Sequence, residues 1–172
     1  ESVKIITIQK TDKNWRQVFE YPNLEEITLP SPSKEQVESI SKLPHIKRLR
    51  LSHFRPRTID FISQLKNLEE VVFEYVSGFN DLSPMQNLPR LKSLHLENLR
   101  KVSNFEGLSG INTLKYLHID GTLDWRQPIE SFGFLKYLPA LEVFGLGFIK
   151  NLSKYPSFIS VLELSNHKRI NN

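Results

Sequence analysis

The chain has 172 residues, about 39% hydrophobic and 24% charged, which suits one sizeable domain of ordinary composition. With no cysteine, disulfides and thiolate metal sites are excluded; that suits a reducing compartment such as the cytoplasm, and bacterial exported proteins as well. The formal charge of +4 is spread as 23 basic among 19 acidic residues, not gathered into the basic face of a nucleic-acid binder, and no apolar run approaches the ~20 residues of a membrane span.

One pattern recurs along the chain. L-x-x-L-x-L or a close variant reads Val3/Ile6/Ile8, Leu24/Ile27/Leu29, Ile46/Leu49/Leu51, Leu68/Val71/Phe73, Leu91/Leu94/Leu96, Leu114/Leu117/Ile119 and Leu141/Phe144/Leu146, with a short late copy at Ile159/Leu162/Leu164. The first positions are spaced by 21, 22, 22, 23, 23, 27 and 18 residues. Each unit supplies a short strand and a return. Alone it cannot bury its apolar side; stacked units share one continuous core.

The first unit continues into Trp15-Arg16-Gln17-Val18-Phe19, an atypical segment expected to do part of the work of a terminal cap unless flanking sequence supplies it. Ser33-Lys34-Glu35-Gln36 ahead of Val37, Ile40 and Leu43 is a capping box and predicts a true helix. The later returns place apolar residues at every third position: Ile59, Ile62, Leu65; Leu82, Met85, Leu88; Phe105, Leu108, Ile111; and Ile129, Phe132, Leu135, Leu138. That period predicts 3₁₀ or tight helical turns. The pairs Leu43-Pro44, Leu88-Pro89 and Leu138-Pro139 are expected to end the return and push the chain extended before the next strand.

With these motifs in place, the chain resembles leucine-rich repeat proteins of the roughly 22-residue class, as in bacterial internalins and phosphatase-regulatory repeat proteins. Phe79-Asn80-Asp81-Leu82-Ser83-Pro84-Met85-Gln86-Asn87-Leu88 is close to that class's I-x-D-I-x-P-L-x-x-L return, and Thr58-Ile59-Asp60-Phe61-Ile62 is a weaker copy. The resemblance implies an α/β solenoid: a right-handed horseshoe with a parallel concave sheet and short convex returns. It implies one domain over residues 1–172, of seven to eight repeats. Three departures stand out. The class's ninth-position Asn is replaced by Phe54, Val76, Leu99, Thr122 and Ile149, so that turn must be satisfied otherwise. The sixth repeat carries about four extra residues around Thr122–Pro128. Neither end has a clear polar cap, which leaves open that the chain is a piece of a longer protein.

In such a sheet the residues between the leucines face outward and stack into columns about 4.8 Å apart. Glu74, Glu97 and Asp120 share one column on three consecutive strands. Like charges side by side are unfavourable, so this strip reads either as a docking surface for a basic partner or as carboxylates offset by His95, His118 and nearby lysines. Arg48 and Arg50, flanked by Glu26, Glu70 and Glu74, read as a cross-strand charge ladder or as interface anchors. His95 and His118 are neighbours, but an open sheet face is a poor metal cage; with Tyr75 and Tyr116 they form an aromatic and imidazole patch suited to protein contact. Trp125 in the long loop either recognises a partner or folds back on the edge, and Phe148 sits beside a small-residue floor of Gly145 and Gly147.

No Walker A, G-x-S-x-G or H-E-x-x-H signature is present, and no cofactor or metal is implied. The expectation is a non-catalytic module, monomeric, binding another protein with a basic surface on its concave face. Two bacterial settings fit, toxin immunity and host interaction. The alternatives are a regulatory or substrate-recognition domain of a larger enzyme, and a repeat that self-associates through the strand edge near Leu164.

Overall fold

A computed structural model describes residues 2–151 and 169–171. Its strands are β1 (Ile5–Thr7), β2 (Glu26–Pro30), β3 (Arg48–Ser52), β4 (Glu70–Glu74), β5 (Ser93–Glu97), β6 (Tyr116–Asp120), β7 (Gln127–Ile129), β8 (Val143–Gly147), β9 (Ile149–Asn151) and β10 (Arg169–Asn171). Eight form one parallel sheet in the order β1-β2-β3-β4-β5-β6-β8-β10; β7 and β9 pair separately. The register aligns equivalent positions throughout, with Glu26, Arg48, Glu70, Ser93, Tyr116 and Val143 side by side. Each comb residue from Leu24 to Phe144 is buried in one core, while Leu146 is half-buried and packed against it. The late copy at Ile159/Leu162/Leu164 and the edge near Leu164 lie outside the described residues; β10 takes the place beside β8.

The returns follow the three-residue period. They are 3₁₀ helices at Trp15–Glu20, Asp60–Gln64, Ser83–Asn87, Glu106–Leu108 and Gly133–Tyr137. Three residues per turn bring Leu82, Met85 and Leu88 onto one inward face, where all three are buried. The second repeat is the exception, with an α-helix at Lys34–Ile40. Ser33 Oγ accepts from the Gln36 N–H at 3.1 Å, and the Ser33 N–H donates to Gln36 Oε1 at 2.8 Å, completing the box. Gln36 Nε2 also donates to the Gln9 carbonyl at 2.9 Å, tying this helix to the first repeat.

The Leu-Pro pairs work differently from expectation. Leu88 is extended, but Pro89 then occupies the second position of a β-turn that bends the chain back into β5, closed by the Leu91 N–H on the Leu88 carbonyl at 3.3 Å. The same closure recurs from Ile46 to Leu43 (3.5 Å), from Leu68 to Leu65 (3.0 Å) and from Leu141 to Leu138 (3.1 Å), with or without proline. Proline is pre-set for that turn position because its φ is held near −65°.

The turn after each strand carries a second regularity. Ser31, His53, Tyr75, Asn98 and Phe148 all have positive φ, between 47° and 56°. Each of the first four donates its N–H to the carbonyl ending the next strand, as Tyr75 does to Glu97 at 2.9 Å. Gly121 holds the same column without positive φ; a Cβ there would run into the backbone of Phe148, Trp125 and Gln127. That close approach admits the extra residues, which form a tight turn bridged between Thr122 and Trp125 before β7 begins. Gln127 replaces the missing Asn beside Leu99: its Oε1 accepts from the Leu99 N–H at 2.9 Å and its Nε2 donates to the Val102 carbonyl at 2.6 Å.

Candidate binding face

The strands place odd positions outward. Burial alternates half-buried and buried along β2, β4 and β5, so the side chains between the leucines form the concave surface. Along its flank runs a column of mixed charge, Glu25, Lys47, Glu69, Lys92, Lys115 and Glu142. Lys47 pairs with Glu25 (3.3 Å), Lys92 with Glu69 (2.8 Å) and Lys115 with Glu142 (2.7 Å). The Lys92 hydrogen bond lowers the Glu69 pKa, and the Glu142 hydrogen bond raises that of Lys115. These pairs are exposed, so each adds little stability.

The two arginines sit in a similar ladder. Arg48 reaches Glu26 at 3.2 Å and Glu70 at 3.8 Å, and Arg50 reaches diagonally to Glu74 at 2.9 Å. Both guanidinium groups are thereby aimed along the sheet surface while remaining exposed.

Asp120 is the hub of the histidine cluster. His95 Nε2 and His118 Nε2 lie 3.1 and 3.0 Å from the same carboxylate oxygen, Oδ2. The two rings are 5.1 Å apart and tilted by 38°. The Asp120 hydrogen bond raises the His95 pKa above its ordinary value; burial opposes this, and the charges of Asp120, Glu97 and Glu74 add to the rise. The glycines of β8 make room for the cluster. A Cβ on Gly145 would come within 2.8 Å of His118 Nδ1, and one on Gly147 would strike Asp120 Oδ1. The small-residue floor is therefore covered by the preceding strand's side chains.

The candidate residues divide between two hollows. Arg48, Arg50, Glu70, His95, Tyr116 and His118 line a concave groove of about 450 Å³, with Val72 and Val143 on its floor. Tyr75, Glu97, Asp120 and Phe148 line a second cleft of about 440 Å³ at the sheet edge. Glu74 lies in neither lining but is tied to the groove through Arg50. Trp125 belongs to neither; it is half-buried at the edge, with the Arg100 guanidinium 6.0 Å from its ring. Among the described residues no helix is long and apolar enough to cross a membrane.

Known structures share this arrangement. An internalin, InlF, from Listeria monocytogenes superposes with a TM-score of 0.55 at 16% identity, covering 88% of this chain and 55% of that one. A second Listeria monocytogenes internalin, InlC2, gives 0.52 at 21% identity, covering 72% and 62%. A leucine-rich repeat protein of Leptospira interrogans gives 0.50 at 14% identity, covering 96% and 53%. The fold is that of a leucine-rich repeat solenoid. The chain spans between about half and three-fifths of the length of these structures. No family model matches it, and no curated protein matches its sequence.

Within the leucine-rich repeat frame, two residues join the candidate set that the columns alone do not indicate. Leu123, 85% exposed, and Asp124 stand at the tip of the inserted turn and line the edge cleft. The extra length of the sixth repeat is visible in the sequence, but nothing in it shows towards which hollow the turn leans.

Proposed function

We propose that this solenoid is a protein-interaction module that engages a partner protein through the concave groove running from β2 across to β8. The observation that carries the reading is the groove itself. It is lined at one end by Tyr116, 46% exposed, beside His118, and on β3 by two arginines already held in place by Glu26, Glu70 and Glu74. Tyrosine and arginine give large contact areas, and side chains already ordered lose less entropy on binding. The fold shared with internalin structures supports the scaffold part of this reading.

The test is affinity capture from cells of the source organism and, separately, from host material, comparing wild type with a Tyr116→Ala/Arg48→Ala variant. Loss of a specific partner with the variant supports the groove. Recovery in the first arm favours the toxin-immunity setting, and recovery in the second favours host interaction. Equal recovery by both proteins removes the groove from the account.

A further inference from the structure

We infer that the edge cleft between Tyr75 and Phe148 receives a lysine or arginine side chain of the partner protein, with Glu97 as its counter-ion. This rests on the reading that the chain binds a protein, and adds which partner group it grips and where.

The walls are the first observation. Tyr75 and Phe148 both adopt the left-handed conformation, with φ of 56° and 47°. Glycine and asparagine take it with least strain, and bulky side chains are outliers there. Asn98, in the same column, follows that preference and is buried. The two aromatics do not follow it, and neither ring is hidden: Tyr75 is 40% exposed and Phe148 52%. His53 stacks on the far side of Tyr75, 4.9 Å away and 6° from parallel, which braces that wall. Between the walls lie Asn98 and Gly121, so the column dips where β5 and β6 end. Three strand steps separate the backbone of Tyr75 from that of Phe148, about 14 Å at about 4.8 Å per step, and the two rings stand within that span.

The floor is the second observation. Of the three acidic residues in the strip, Glu74 is held by Arg50 and Asp120 by two histidines. Glu97 between them is half-buried, and its carboxylate makes no hydrogen bond or ion pair among the described residues. Asp124 stands exposed at the rim, also without an ion pair there. A purely apolar occupant would bury Glu97 uncompensated, and an anion would be repelled. A basic side chain fits both parts. Its aliphatic stem packs along Tyr75, Leu123 and Phe148, and its cationic head bonds to Glu97. The cleft shares Asp120's strand with the concave groove, so one protein surface can engage both.

The test is an amide-resolved NMR titration with a capped hexapeptide carrying one central lysine among glycine and serine, and its norleucine counterpart. Saturable shifts at the Tyr75, Asn98, Gly121 and Leu123 amides are expected with lysine and not with norleucine. Glu97→Gln should weaken the lysine peptide about tenfold. Leu123→Ser, at a site too exposed to unfold the chain, should weaken it about fourfold, the worth of one methylene. No shift at those amides, equal shifts with norleucine, or an unchanged titration in Glu97→Gln overturns the inference. Tighter binding of spermidine than of the lysine peptide would make the occupant a small amine and also overturn it. The groove is judged separately: loss of the peptide effect with partner capture still dependent on Tyr116 removes the cleft alone.

Discussion

Gln127→Met should open the solenoid at its centre. Methionine has nearly the shape of glutamine but neither hydrogen-bonding group. The substitution leaves the Leu99 N–H and the Val102 carbonyl without partners held at 2.9 and 2.6 Å, at a fully buried site. An orphaned buried group costs about 1–3 kcal/mol, so two cost about 2–6 kcal/mol. The added apolar burial offsets about 1–2 kcal/mol of that. A net loss of about 3 kcal/mol lowers Tm by about 6–12 °C in a chain of this size. Differential scanning calorimetry gives the shift. Hydrogen exchange shows whether it is local: the Leu99 amide should lose protection before amides in β2 and β3, because each repeat is stabilised mainly by its neighbours. A Tm within about 2 °C of wild type, with Leu99 protection unchanged, would refute the claim that Gln127 stands in for the missing asparagine.

Three shorter predictions follow from the site and its scaffold. The raised His95 pKa means the folded chain holds this proton more tightly than the unfolded chain, so its stabilising contribution is complete below the ordinary value of about 6.5 and fades as pH rises through the folded value. Asp120→Asn should lower the His95 midpoint in an NMR titration and flatten the dependence of stability on pH over that window; a wild-type midpoint below about 6.5 contradicts the geometry. Gly147→Ala places a methyl against Asp120 Oδ1 and should displace the carboxylate, lowering the His95 midpoint in the same direction at a stability cost of about 1 kcal/mol; an unmoved midpoint means Asp120 does not depend on that space. Ser33→Ala removes half of the capping box and should cost about 1 kcal/mol, or about 2–4 °C in Tm, with no effect on partner binding.

How far the sequence reaches is clearest at particular residues. The columns Glu26–Arg48–Glu70 and Glu74–Glu97–Asp120 follow from counting alone, because side chains alternate with period two and parallel strands stack in register. The helix at Lys34–Ile40 follows from its capping box, and the 3₁₀ returns from their three-residue spacing. Proline departs from expectation because the rule for the residue before it holds at Leu88, while the turn that follows depends on Leu91 already being anchored in the core.

Register and burial are thus properties of the repeat, determined by a periodic pattern that reads without coordinates. What tertiary structure alone decided is how the outward side chains share their partners. Arg50 reaches diagonally to Glu74, Asp120 is shared by two histidines above glycines that leave it space, and the Glu97 carboxylate makes no hydrogen bond or ion pair among the described residues. Those outcomes depend on differences of an ångström or two between side chains from separate repeats. Gln127 reaching Leu99 and the Leu123 turn leaning over the edge cleft are of the same kind. A pattern of spacings along one chain carries no information at that scale.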